Sequence, residues 1–511
     1  MKKIVLIIAI GLFFTLQFGC DEDKTLDIEP IGQPTESNFF RNETEMTQAV
    51  FGVYQKLSFF YKFQVQNFLQ RTDLLPSDDL TRNNSGPFEN LSLLDQFDSR
   101  IGLTYQYTYQ LIARANTLLQ KIEENESFAY TNQPELANVH RGEALFLRSL
   151  MYLKLWNTFG TAPLVTERIV DLGNAFPPNS VGTQLLDQAV QDLTEAQNFL
   201  PDVWDDANLG RATSNSAKGL LVKVLVFRGS VTGNNADFAQ ALTVFNSMSG
   251  VSLAPNYTNN FDAKTENNIE SLFEFQAARN SDPKINDWLL SGTDDFPANG
   301  SLNAFYGYFS PLPSFIPGVT YTATSSLLNS YEDDDPRLTL SFNPNEDIFN
   351  VIKYVGEEYD EIAEVTDPGE ALSNNNPRIL RYADVMLLAA EAIVRSNGSL
   401  DQAIDLVNQI RERARNSVSP PSAIPANLAV PATAQEALEI IFNERRLELA
   451  VEEGHRWHDL RRRHIAGEID LTTWDFDSSD PTFQFLERNI NFPLPDNEVV
   501  ESPNLNQNDG Y

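Results

Sequence analysis

FNERRLELAVEEGHRWHDLRR, Phe442 to Arg462, lies within a stretch from about 433 to 462 that reads as one long helix. Thr433 stands near its start, in position to cap it. Glu444, Arg445, Arg446 and Glu448 read as internal ion pairs. Buried arginine–carboxylate networks of this kind specify geometry and are costly to break one partner at a time. His455, His458 and His464 are three of the chain's four histidines and sit beside Asp459. On a helix, His455 and His458 could share a face and hold a metal. Arg456, Arg461, Arg462 and Arg463 crowd the same face with positive charge and oppose a cation. The expectation is a scaffold with no metal site.

Working outward, helical periodicity recurs over about 399–416 and 381–396, and earlier over 236–247, 213–229 and 180–199. Asp401 stands near the start of the 399–416 helix. A stretch from Pro134 to about Trp156 carries Ala144, Leu145, Phe146, Leu147, Leu150, Met151, Leu153 and Leu155. That leaves little polar face, so this helix is expected at the centre. Tyr105–Glu124 and about 43–58 are further amphipathic stretches, the latter with Met46, Val50, Val53, Tyr54 and Leu57 in one stripe. Between about 251 and 375, Gly, Pro, Asn and Ser are dense, and apolar runs such as Ser271-Leu272-Phe273-Glu274-Phe275 are too short for helices. The reading is mainly α: a helical scaffold over about 36–250 and 376–511, and a loop-rich, short-strand insertion over 251–375. Loops carried on a rigid scaffold are a common place for a binding surface.

Of 511 residues, 71 are Asp or Glu and 37 are Lys or Arg, a net charge of −34. Phosphate contacts are made mainly by Lys and Arg, so a nucleic-acid partner is not expected. The single cysteine excludes an intrachain disulfide. It sits at Cys20, after Lys2, Lys3 and the apolar run Ile4–Phe14, which has the length of a signal-peptide core. Gly19-Cys20 resembles a bacterial lipoprotein cleavage site, although Gln17-Phe18 stands where such sites usually carry Leu-Ala or Leu-Ser. Residues 1–19 are then the signal peptide, Cys20 the lipidated residue, and 20–35 an acidic tether opening with Asp21-Glu22-Asp23. The acidic triplet resembles the surface-export signal of Bacteroidota lipoproteins.

Several blocks occur in order along the whole chain: RGEALFLRSLMYLKLWNTFGTAPLV (Arg141–Val165), PRILRYADVMLLAAEA (Pro377–Ala392), VNQIRERA (Val407–Ala414), the opening block, and FPLPDNEVVESPNLNQNDGY (Phe492–Tyr511). Together with the lipoprotein start they resemble the SusD/RagB family of outer-membrane nutrient-binding lipoproteins. The resemblance implies a SusD-like fold, with tetratricopeptide-like helix pairs and an irregular ligand region in one domain over 36–511. It also implies a cell-surface, lipid-anchored protein without cofactor that binds an oligo- or polysaccharide and hands it to a SusC-like TonB-dependent transporter. A RagB-like peptide receptor is the alternative reading, and a surface glycoside hydrolase the remote one.

Sugar recognition needs aromatic faces against the C–H side of a ring, plus polar groups for the hydroxyls. Two segments supply both. Asp78–Asn90 offers Arg82, Asn83, Asn84 and Phe88, and Ile285–Phe309 offers Trp288, Asn303, Tyr306 and Tyr308. Trp474 is a lesser candidate. No nucleophile elbow, Walker loop or HExxH motif is present, and no catalytic residue is expected. The run Tyr331-Glu332-Asp333-Asp334-Asp335-Pro336-Arg337 has the carboxylate density of a calcium loop. The plainer reading is a solvated helix end before a proline.

Overall fold

The computed structural model describes residues 35–36, 38–61, 70–82, 86–277, 321–343, 351–354, 375–478 and 483–511. Cys20, the signal segment and most of the tether lie outside them.

Helices dominate. In chain order they are α1 Glu43–Tyr54, α2 Ser99–Ala129, α3 Glu135–Phe159, α4 Gln184–Phe199, α5 Ser214–Thr232, α6 Asn235–Asn246, α7 Pro336–Ser341, α8 Tyr382–Arg395, α9 Leu400–Arg415, α10 Ala434–Glu448, α11 His455–Ile465 and α12 Asp496–Glu501. From α2 to α6 each helix packs against the next, and α8 packs against α6, α9 and α10. No helix among the described residues is long and apolar enough to cross a membrane.

Capping chemistry places the ends. Asp98 accepts from Arg100 N, so α2 starts before the first residue of its apolar stripe. Thr433 and Glu436 form a reciprocal capping box at the start of α10. At α9 the cap is Ser399 rather than Asp401. The central position expected of α3 is observed: most of its residues are buried, and its Arg148 pairs with Asp192 of α4 at 2.8 Å through both Nε and Nη2.

The helix expected over 433–462 is two helices. Between α10 and α11 the backbone turns through positive φ at Val451, Glu453 and Gly454, 56°, 42° and 72°. The turn presses onto the 70–74 segment, where a Cβ on Gly454 would lie 2.5 Å from Asp73 Cβ. The break lets Arg446 of α10 and Arg456 of α11 converge on Asp78.

Two short antiparallel ladders complete the scaffold. β2 (Ser271–Glu274) pairs with β4 (Arg378–Arg381), and β1 (Leu80–Arg82) pairs with β3 (Tyr321–Ala323). The main core joins α1–α5 to both ladders, and a smaller one of Ala383, Met386, Val407, Ile410 and Ile441 lies between α8, α9 and α10.

Candidate functional site

The opening block makes buried ion pairs within itself, Asp459 receiving Arg445 at 2.7 Å and Arg462 at 2.9 Å, and further ones to other elements. Glu448 receives Arg381 of β4 at 2.7 Å and also pairs with Arg413 of α9. Glu444 receives Arg337 of α7 at 2.6 Å and Arg411 at 3.0 Å. Arg381 reaches on to Glu270 at 2.8 Å and Glu452 at 2.6 Å, and Lys353 meets Glu452 at 2.6 Å. These pairs therefore fasten the described parts of the loop-rich region to α8, α9 and α10.

The acidic run belongs to the same network. Asp335 caps α7 and binds Arg337 at 2.8 Å, both residues being buried, while Glu332 pairs with Arg411. Glu332, Asp333 and Asp334 are exposed. The solvated reading is thus corrected for Asp335, whose carboxylate is committed to an arginine and a helix end.

The histidines take separate partners. His458 Nε2 lies 3.2 Å from Asp73 Oδ1, His455 Nδ1 lies 3.1 Å from Lys223 Nζ, and His464 faces Glu487. Burial, and then the charge of Lys223, holds His455 well below the usual imidazole range. Among the described residues, no group of three or more His, Cys, Asp and Glu could hold a metal ion.

The β1–β3 ladder joins two distant parts of the chain. Its register is Leu80↔Ala323, Thr81↔Thr322 and Arg82↔Tyr321. β1 ends at Arg82, next to Asn83 in the sequence, and β3 begins at Tyr321, 13 residues after Tyr308.

Beneath this ladder the chain is held by charge. Arg446 of α10 donates from Nε to Asp79 Oδ1 at 2.7 Å and from Nη2 to the Asp78 carbonyl at 3.0 Å. Arg456 of α11 donates to both oxygens of the Asp78 carboxylate, and Trp474 Nε1 lies 3.2 Å from the same group. Thr324 Oγ1 closes the base with a bond to the Asp78 carbonyl. Burial alone would raise Asp78; Arg456 and then Arg446 pull it down to about 2. The carboxylate is ionised at neutral pH and occupied, so it serves as an anchor rather than as an acid or base.

Of the predicted ligand residues, Phe88 is the one whose side chain is described, and its role is corrected. It is 1% exposed, its ring centroid is 6.1 Å from that of Phe492, and Arg100 Cζ lies 5.0 Å over it. A ring enclosed in this way offers no face to a sugar. Arg82 is described by its backbone only, and Asn83, Asn84, Trp288, Asn303, Tyr306 and Tyr308 lie outside the described residues. Trp474 is partly buried, with Arg456 Cζ 5.8 Å from its ring. The roles of Arg446 and Arg456 under the ladder were not visible in sequence, where both are simply members of an arginine-rich block.

Comparison with known proteins gives a consistent answer. The SusD family model matches residues 320–511, and a second, described as "Starch-binding associating with outer membrane", matches residues 27–226. The SusD-like protein P2 of Formosa agariphila is 26% identical over 98% of both chains. Among solved structures, a laminarin binding SusD-like protein is 25% identical, with a TM-score of 0.69 over 92% of this chain and 100% of that one. Surface glycan-binding protein A from Bacteroides fluxus shares the fold at a TM-score of 0.72 and 22% identity, covering 92% of this chain and 100% of its own.

Proposed function

The chain belongs to the SusD/RagB family, and from that premise we propose that it is a non-enzymatic, cell-surface glycan-binding lipoprotein. It captures an oligo- or polysaccharide and delivers it to a SusC-like TonB-dependent transporter in the outer membrane. Cys20 carries the lipid that tethers it there, and 36–511 act as one domain with the ligand region over about 251–375. The observation that supports the reading is the 25% identity, over 92% of the chain, to a laminarin binding SusD-like protein. The names of the laminarin-binding and glycan-binding structures favour a sugar over a peptide.

In this reading Trp288 and Tyr308 stack on sugar rings, Tyr306 adds a further ring, and Arg82, Asn83, Asn84 and Asn303 bind hydroxyls. Stacking gives modest affinity per ring, which suits a protein that must release its cargo. Native gels cast with laminarin, starch or xylan test this directly. Retarded migration that disappears in Trp288→Ala and Tyr308→Ala is expected. Binding of peptides alone would indicate the RagB-like receptor, and release of reducing sugar the hydrolase. Cys20→Ala should free the protein from the membrane fraction, and the wild type should co-purify with a TonB-dependent transporter.

A further inference from the structure

A cleft of about 290 Å³ opens between the 202–215 segment, which leads into α5, and the 267–274 segment, which becomes β2. Its size is close to the lower end of ligand sites, roughly 300–1,000 Å³. Three aliphatic side chains on its walls are unusually open to water: Val203, Leu209 and Ile269 are 78%, 56% and 48% exposed. Trp204 joins them, its indole fixed by a 2.9 Å bond from Nε1 to the Ala212 carbonyl and by Arg211 Cζ 4.0 Å over the ring.

The polar groups define what this surface can hold. Arg211 is fully committed, donating to both Glu143 oxygens at 2.7 and 2.6 Å and to Asn208. Asn267 and Gln276 close on each other through reciprocal 3.0 Å amide bonds. Asn215 is different. It is 8% exposed, its Nδ2 donates to the Ser249 carbonyl at 2.9 Å, and its Oδ1 has no partner. A buried acceptor left unpaired costs about 1–3 kcal/mol, and this residue lines the cleft.

We propose that the cleft is a second saccharide site, taking one or two rings of a neutral sugar. The C–H face of the sugar lies on Trp204, Val203, Leu209 and Ile269, and a hydroxyl donates to Asn215 Oδ1. An anionic ligand finds no uncommitted cation here, and Asp202 is exposed at the rim. A purely apolar ligand leaves Asn215 Oδ1 unmet. A peptide added as a strand finds β2 already paired with β4, with the Leu272 carbonyl taken by Ser216 Oγ. The cleft shares no residue with the Asp78–Asn90 and Ile285–Phe309 segments.

The test is calorimetric titration of the mature chain with laminarihexaose, maltohexaose and xylohexaose, in the wild type, Trp288→Ala, Leu209→Arg and Ile269→Arg. The two arginines fill the cleft from exposed positions where folding is not at stake, and circular dichroism checks that. At least one hexaose is expected to lose about tenfold or more in affinity in both arginine variants, and to show saturation-transfer signals with Trp204. Binding that Trp288→Ala abolishes while Leu209→Arg and Ile269→Arg leave it unchanged would overturn the cleft and keep the loop reading. Binding lost in the arginine variants but not in Trp288→Ala would do the reverse. A hexaose panel with no response in any protein overturns the cleft.

Discussion

Arg456 Nε lies 2.6 Å from Asp78 Oδ1 and its Nη2 lies 2.8 Å from Oδ2, so the start of α11 grips the chain two residues before β1. Asp78 is buried, and Arg446 also approaches its carboxylate at 3.3 Å. Removing the acid leaves Arg456 without its carboxylate partner in a largely dry site, while Arg446 keeps Asp79 at 2.7 Å. Breaking a buried pair by one partner typically costs 3–5 kcal/mol. Because Arg456 keeps some access to water, Asp78→Ala should destabilise by about 3 kcal/mol, measured by urea denaturation. It should also loosen the β1–β3 ladder, read as faster hydrogen exchange at the Thr322 and Thr324 amides. A loss below about 1 kcal/mol would mean that water replaces the carboxylate at little cost.

Two glutamates of the opening block should give opposite pH dependences. Burial would raise Glu448, but Arg413, Arg381 and Arg337 hold it near 2. Its folded pKa is below the unfolded value of about 4.3, so the folded state binds fewer protons between those values. Its contribution, on the order of 3 kcal/mol, is therefore complete above about pH 5 and lost as the pH falls towards 2. Glu453 is the reverse: burial raises it to about 7, against a 2.7 Å bond from Tyr61 Oη. Here stability declines as the pH rises from about 4.3 through 7. Glu453→Gln keeps an acceptor for Tyr61 and should raise the melting temperature at pH 8 but not at pH 5. Equal shifts at both pH values would show that the carboxyl titrates normally.

Periodicity carried most of the helices, because a 3.6-residue stripe reports burial without knowledge of the partner. Thr433 was legible as a cap for the same local reason. The β1–β3 ladder was not, since three-residue strands more than 200 residues apart leave no pattern. Phe88 shows the limit for ligand residues. An aromatic beside Gly-Pro and Asn reads the same whether its ring faces water or the core, and only the fold brings Phe492 and Arg100 against it. The buried acceptor of Asn215 has no sequence signal, because Asn is equally at home in the first turn of a helix with every group satisfied.

The turn between α10 and α11 was the one error within the block that otherwise identified the scaffold. Apolar and charged residues continue through it, and Gly454 is the sole local mark. Its φ of 72° is strained for any residue with a side chain, and an added Cβ would meet both Asp73 Cβ at 2.5 Å and the Asp73 carbonyl at 2.9 Å. Backbone strain and overpacking act together here, so Gly454→Ala should cost about 2 kcal/mol or more. A change within about 0.5 kcal/mol would mean that the 70–74 segment moves away freely.

The net charge gains meaning once burial is known. Among the described residues, sixteen Lys and Arg and sixteen Asp and Glu are buried. They cancel, so the whole −34 is carried by the rest of the chain. A chain with this net negative charge presents a field that repels polyanions and is indifferent to neutral sugars. Screening acts over about 10 Å at 0.1 M salt, so the repulsion should be strongest in dilute buffer. In affinity gels, retardation by laminarin, starch or xylan should not change with ionic strength. Alginate or a sulfated galactan should bind weakly at low salt and no worse as salt rises, because added ions remove a penalty rather than an attraction. Tighter binding of such a polymer at low salt would require a local basic surface that outweighs that field, and would overturn the neutral-ligand expectation.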